Sequence, residues 1–150
     1  MKEEVLGSET ENKVPTTDEL LKPTAAEEVK KSPNELMTEA ISEYAFLSFE
    51  NGVLKVEHSE LKSFLKPRIL KIGNVVNRGT ILARLNGGAT NMDAQTQGLN
   101  GCIATVMVGF EENLKIDLLQ VEDTDLVMGL YIAVVSYNNF FRKNPLGIIL

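Results

Sequence analysis

The stretch 126–141 constrains this chain most: sixteen consecutive residues carry no charge, and most of them are Leu, Val, Ile, Met, Tyr or Phe. Leu126, Leu130, Ala133, Val134, Tyr137 and Phe141 recur at the three- and four-residue intervals of one helical face. Val127, Met128, Ile132, Val135 and Phe140 make the segment apolar on further sides. The sequence therefore predicts a helix that either fills a helical core or lies at a contact between subunits. Crossing a bilayer takes about 18 to 20 apolar residues. This segment is shorter and includes Ser136, Asn138 and Asn139, so a membrane span is not expected. Asp123 or Thr124 caps its start, where Asp123 and Asp125 suit the positive end of the helix dipole. Arg142 and Lys143 suit the other end.

With 150 residues the chain has room for one ordinary domain around that helix. Leu99, Cys102, Ile103, Val106, Met107 and Phe110 repeat with helical spacing and predict a middle helix whose inward face includes Cys102. Ile116, Leu118, Leu119 and Val121 read as a short apolar connector. Upstream, Asn74 is placed to cap a helix to about Leu85, with Val75, Ile81, Leu82 and Leu85 inward. Asn86, Gly87 and Gly88 then end it with residues that accept left-handed conformations. Pro67 leaves residues 60–72 ambiguous, because Leu61, Phe64 and Leu65 before it carry helical spacing. Residues 44–49 and 53–58 flank Asn51 and Gly52, the pair that favours a tight primed turn, and read as a β-hairpin. Ser32, Pro33 and Glu35 begin a short helix to about Glu43. The expected fold class is α+β, mostly α: a small helical domain with an N-terminal β-hairpin.

Residues 1–36 differ in kind. They hold nine acidic and five basic residues and three of the five prolines, with only isolated apolar positions. Such a segment cannot bury enough surface to offset its ordering entropy, so it reads as a flexible acidic arm beside a domain of residues 37–150. The arm is either an inert solvating tail or a docking segment, with short helical turns possible at 17–21 and 25–31. At the other end, 146–150 is an apolar tail that invites docking.

Few residues offer chemistry. The single histidine, His58, and the single cysteine, Cys102, fall in separate elements, and no spaced ligand cluster accompanies either. His58 reads as a surface residue beside a turn. Glu122, Asp123 and Asp125 lack the pattern of a calcium loop and read as helix capping. The glycine pairs lack a phosphate-loop lysine. The sequence thus proposes no catalytic, metal or cofactor site. An acidic start at 1–11 is no signal peptide, and one cysteine suits a reducing cytoplasm.

Charge gives the clearer direction. A net charge of -6 argues against general nucleic-acid binding. Arg68, Lys71, Arg78 and Arg84 form a basic region without interleaved aromatics to stack bases. Residues 55–84 contain seven basic and two acidic residues, whereas 85–125 contain seven acidic and one basic. A bipolar chain of this kind can meet copies of itself head to tail.

Element order adds a family expectation. A polar arm, a short hairpin, the junction Leu65-Lys66-Pro67-Arg68 and then helices ending in an Asp-capped segment resemble the tail assembly chaperones of long-tailed bacteriophages. The likeness spans about residues 44–141. Its carriers are Val53-Leu54-Lys55-Val56, the run from Gly101 through Val108, and Leu118-Leu119-Gln120-Val121-Glu122-Asp123-Thr124-Asp125-Leu126. The long acidic arm departs from the family pattern. The resemblance implies a non-enzymatic protein of the host bacterial cytoplasm that coats the tape-measure protein and helps recruit tail-tube subunits. On this reading the protein is a homo-oligomer. Contacts with itself or a partner are expected from Leu126, Leu130, Val134, Tyr137 and Phe141, from the four basic residues above, and from Asp123 and Asp125. A structural virion component and a small cytoplasmic adaptor stand as the alternatives.

Overall fold

The computed structural model describes residues 31–87 and 91–142. The chain divides between Ser32 and Pro33. The expected arm, apart from its last residues, and the apolar tail 146–150 lie outside the described residues. Within the second unit the order is α1 (Pro33–Ala40), β1 (Leu47–Glu50), β2 (Val53–His58), β3 (Leu61–Leu65), α2 (Ile72–Asn86), α3 (Ala94–Val108) and α4 (Thr124–Phe141), with a 3-10 turn at Leu118–Gln120 before α4. This is the mostly helical α+β class that the pattern predicts. The folded unit begins at Pro33 rather than at residue 37, because Pro33 to Leu36 form the first turn of α1 and lead Met37 into the core.

The hairpin turn forms as its residues dictate: Asn51 and Gly52 take φ of 54° and 79°, the two positive values that a primed turn needs. Leu54 and Val56 face the core while Lys55 and Glu57 face out. The sheet does not stop at two strands. Residues 61–65 pair antiparallel with β2, with Leu54 opposite Leu65 and His58 opposite Leu61, to give the order β1-β2-β3. The helical spacing of Leu61, Phe64 and Leu65 is thus misleading. Leu61 and Leu65 are buried and Phe64 is exposed, the outcome of a period of two. Beyond β3, Pro67 bridges to Phe110, and the Arg68 N–H donates to the Gly109 carbonyl.

α2 starts earlier than expected. Lys71 takes the cap position and Asn74 lies three residues in, where its Oδ1 accepts the Lys71 N–H at 2.9 Å. Gly87 ends the helix with φ 60° and donates to the Ala83 and Arg84 carbonyls. α3 is capped by Asp93, which accepts the Thr96 N–H. It packs between α2 and α4. Burial on α3 therefore spreads over Ile103, Ala104, Thr105, Val106 and Val108, while Cys102 is half-buried and Met107 is exposed. A single inward face is what one neighbour would produce, and α3 has two.

α4 is the centre of the domain. Leu126, Leu130, Ala133 and Val134 are fully buried, and Val127, Gly129, Ser136 and Asn138 are buried beside them. α1 and α3 pack against it. The sheet's inner face reaches it through Phe49, whose ring lies 6.2 Å from Tyr137 and 6.0 Å from Phe141. Of the two readings of this segment, core or subunit face, the domain's own core takes it. Among the described residues no helix is long and apolar enough to cross a membrane.

Candidate protein-binding surface

The residues expected to meet a partner divide three ways. Leu126, Leu130 and Val134 are 0% exposed and touch only the interior, so a partner cannot reach them in the folded domain. Their spacing marks burial, and burial within one chain leaves the same spacing as burial between chains. Tyr137 and Phe141 stack at 4.6 Å and stay half-buried at the domain edge. Burial and the nearby Glu111 raise the Tyr137 phenol above its ordinary pKa.

Two of the four basic residues are bound to the chain's own atoms. Arg68 donates through Nε and Nη2 to the Phe110 carbonyl, at 3.1 and 2.6 Å, which fixes the β3–α2 junction against the end of α3. Arg78 points its Nη1 at Thr105 Oγ1 at 3.4 Å. Lys71 and Arg84 are exposed. Arg68, Lys71 and Tyr137 do meet, with Pro67, Asn74 and Glu111, at a shallow depression of about 550 Å³. Glu111, which lines it too, pairs with Lys66 at 3.8 Å.

Asp123 is engaged within the chain. Its Oδ1 accepts the Asp125 N–H as the cap of α4, and its Oδ2 lies 2.9 Å from His58 Nε2. His58 Nδ1 accepts the Glu60 N–H at 3.0 Å, which places the ring proton on Nε2, donating to Asp123. Glu60 in turn accepts the Glu122 and Asp123 N–H groups. His58 is therefore no surface residue: it is 9% exposed, edge-on to Phe46, and ties the end of β2 to the start of α4. Both ring nitrogens are engaged, so neither is free to act as a base. Asp125 is exposed in the first turn of α4, within electrostatic reach of Tyr44. Burial pushes the Cys102 thiol up, away from the reactive thiolate. Among the described residues no three His, Cys, Asp or Glu side chains gather as metal ligands.

The hydrogen bond from His58 holds the Asp123 carboxyl below its ordinary pKa, with the Asp125 N–H adding to the effect. A depressed folded pKa gives stability that is present above the ordinary carboxylate value and lost as pH falls through the folded one. Asp93, lowered by its bonds to Thr96, acts in the same window. Asp123→Asn keeps a capping oxygen and removes the charge. Its midpoint of urea unfolding is expected to fall less steeply than wild type on acidification from about pH 6 to about pH 3. Parallel curves would show that the Asp123 charge contributes nothing.

The surface best suited to another protein is one the spacing rules pass over. A groove of about 270 Å³ opens among Leu85 of α2, Ile103 and Met107 of α3, and Leu114, Ile116 and Leu119 of the connector, with Asp117 at its rim. Met107 is 48% and Leu119 59% exposed. The groove is open and lined mainly by apolar side chains. Ile72 and Val76, 84% and 64% exposed, form a second apolar patch on the outer side of α2. The sequence does carry a signal for these positions. Val75-Val76 and Leu118-Leu119 are adjacent apolar pairs, and neighbours point about 100° apart on an α-helix and about 120° apart on a 3-10 turn, so one of each pair turns outward. No family model, curated protein or solved structure matches the chain.

Proposed function

We propose that the protein is a non-enzymatic tail assembly chaperone of a long-tailed bacteriophage, which coats the tape-measure protein in the host bacterial cytoplasm, keeps it soluble and helps recruit tail-tube subunits. The observation that carries this reading is the open apolar groove: a small domain with a buried core of its own keeps Met107 and Leu119 exposed around it. Apolar surface left open beside a filled core marks a protein contact. The element order that resembles the chaperone family supplies the client, a long helical chain whose apolar stripes aggregate unless covered.

Co-expression with the longest helical protein encoded beside its gene tests the proposal. The chain is expected to hold that client in the supernatant, and Met107→Asp, which alters an exposed side chain, is expected to let it pellet. A client equally soluble with the chain, with the variant or with neither would overturn the reading.

A further inference from the structure

The outer side of α2 is unusual for a helix facing water. Ile72, Val76, Gly79 and Ala83 fall within about 60° of arc at 100° per residue. All four are exposed, Ile72 at 84% and Val76 at 64%. A surface helix ordinarily places charged residues on this side. Here an uncharged strip about 17 Å long follows the helix at 1.5 Å per residue. Gly79 lies near its middle, where a glycine weakens a helix. No packing among the described residues asks for it, since a Cβ at Gly79 would meet no atom within 4 Å. Bare backbone inside an open apolar strip suits a second segment of chain lying close against it.

The fold brings one apolar segment to the head of that strip. α4 ends at Phe141, and Arg142 takes φ of -76° and ψ of 131°, so the chain leaves the helix extended. Arg142 Nη2 donates to the Leu70 carbonyl at 2.9 Å, and the Leu70 N–H donates to Asn138 Oδ1. Leu70 precedes Ile72 by two residues, so the chain beyond Arg142 sets out beside the start of α2. Lys143, Asn144 and Pro145 follow, and then Leu146-Gly147-Ile148-Ile149-Leu150.

We infer that the outer strip of α2 is covered by this chain's own residues 146–150, laid along the helix from Ile72 towards Ala83. The lengths agree: at about 3.3 Å per extended residue, 143–145 bridge about 10 Å and 146–150 cover about 17 Å. The chemistry agrees as well, since neither the strip nor residues 146–150 carry a charged side chain. A tether of three residues holds the segment at an effective concentration of about millimolar, so the same molecule outcompetes a second copy for the strip. Apolar surface is thereby removed from water on both partners, Ile72 and Val76 on one side and the leucines and isoleucines on the other. The strip lies about 150° around α2 from Leu85, the residue of this helix that lines the groove, so its occupant is independent of the client and of the proposed function.

Amide NMR of the full chain, of the same chain lacking residues 146–150, and of a synthetic peptide of residues 143–150 tests the inference. Truncation is expected to shift the amides of Ile72, Val76, Gly79 and Ala83, by the same amount at low and at tenfold higher protein concentration. Amide exchange at residues 148–150 is expected to be at least about fivefold slower in the full chain than in the peptide, and to return to the peptide rate in Val76→Asp. Ile72→Lys repeats the design should Val76→Asp fail to fold, and Ile149→Asp makes the matching change on the tail. Truncation shifts confined to Met107, Leu119 and the rest of the groove would place the tail there and overturn the inference. Shifts that grow with concentration would reveal a contact between copies and overturn it as well. So would a spectrum unchanged by truncation, peptide-like exchange at 148–150 in the full chain, or slow exchange that survives both Val76→Asp and Ile72→Lys.

Discussion

Leu130→Asp is expected to leave no folded domain. Leu130 is 0% exposed at the middle of α4, the helix against which α1 and α3 pack and which Phe49 of the sheet reaches. Removing a buried leucine side chain alone costs about 2 to 5 kcal/mol. The aspartate adds either a buried unpaired charge or the cost of holding it protonated, several kcal/mol more. Domains are stable by only about 5 to 15 kcal/mol. Circular dichroism should show the loss of cooperative melting, and Leu119→Asp, on the exposed connector, should melt as wild type does. A Leu130→Asp chain that melts near the wild-type temperature would remove α4 from the core.

The second large effect is expected at Asn138, which clips the β3–α2 junction to α4. Its Oδ1 accepts the Leu70 N–H at 2.8 Å and Arg142 Nη2 at 2.7 Å. Its Nδ2 donates to the Arg68 and Val134 carbonyls. Asn138 is 2% exposed, so no water replaces these bonds in Asn138→Leu, a change of nearly conserved volume. Each buried polar group left without a partner costs about 1 to 3 kcal/mol, and the Leu70 N–H and Arg68 carbonyl are both at stake. We expect a loss of about 3 kcal/mol in urea unfolding, against less than about 0.5 kcal/mol for Asn139→Ala on the exposed side of the same turn. Equal effects at the two positions would show that the clip contributes nothing.

How much of this the residues reveal in advance depends on whether the responsible interaction is local. The Asn51-Gly52 turn, the Asp123 cap and the buried stripe of α4 follow from nearest neighbours and periodicity, and all three are legible. β3 is not, because Leu61, Phe64 and Leu65 fit both a helical and a strand spacing over so short a run. Its pairing with β2 settles the choice. Asn138 and His58 read as ordinary polar residues because their partners lie far along the chain, at Leu70 and at Asp123. The binding surface escapes for a related reason. Periodicity marks where apolar residues gather, and only the packed fold distinguishes the buried Leu118 from the exposed Leu119.

Under the proposed function, the domain's open apolar surface holds a long helical client during tail assembly. The most direct measurement is to express the chain with an N-terminal tag within its native flanking DNA, isolate it and identify by mass spectrometry what accompanies it, in parallel with Met107→Asp. The expected result is recovery of a very long, predominantly helical protein with the wild-type chain, its loss with the variant at unchanged melting temperature, and absence of the chain from finished particles. Recovery of the chain alone as a small discrete species, or its presence in purified particles, would contradict it.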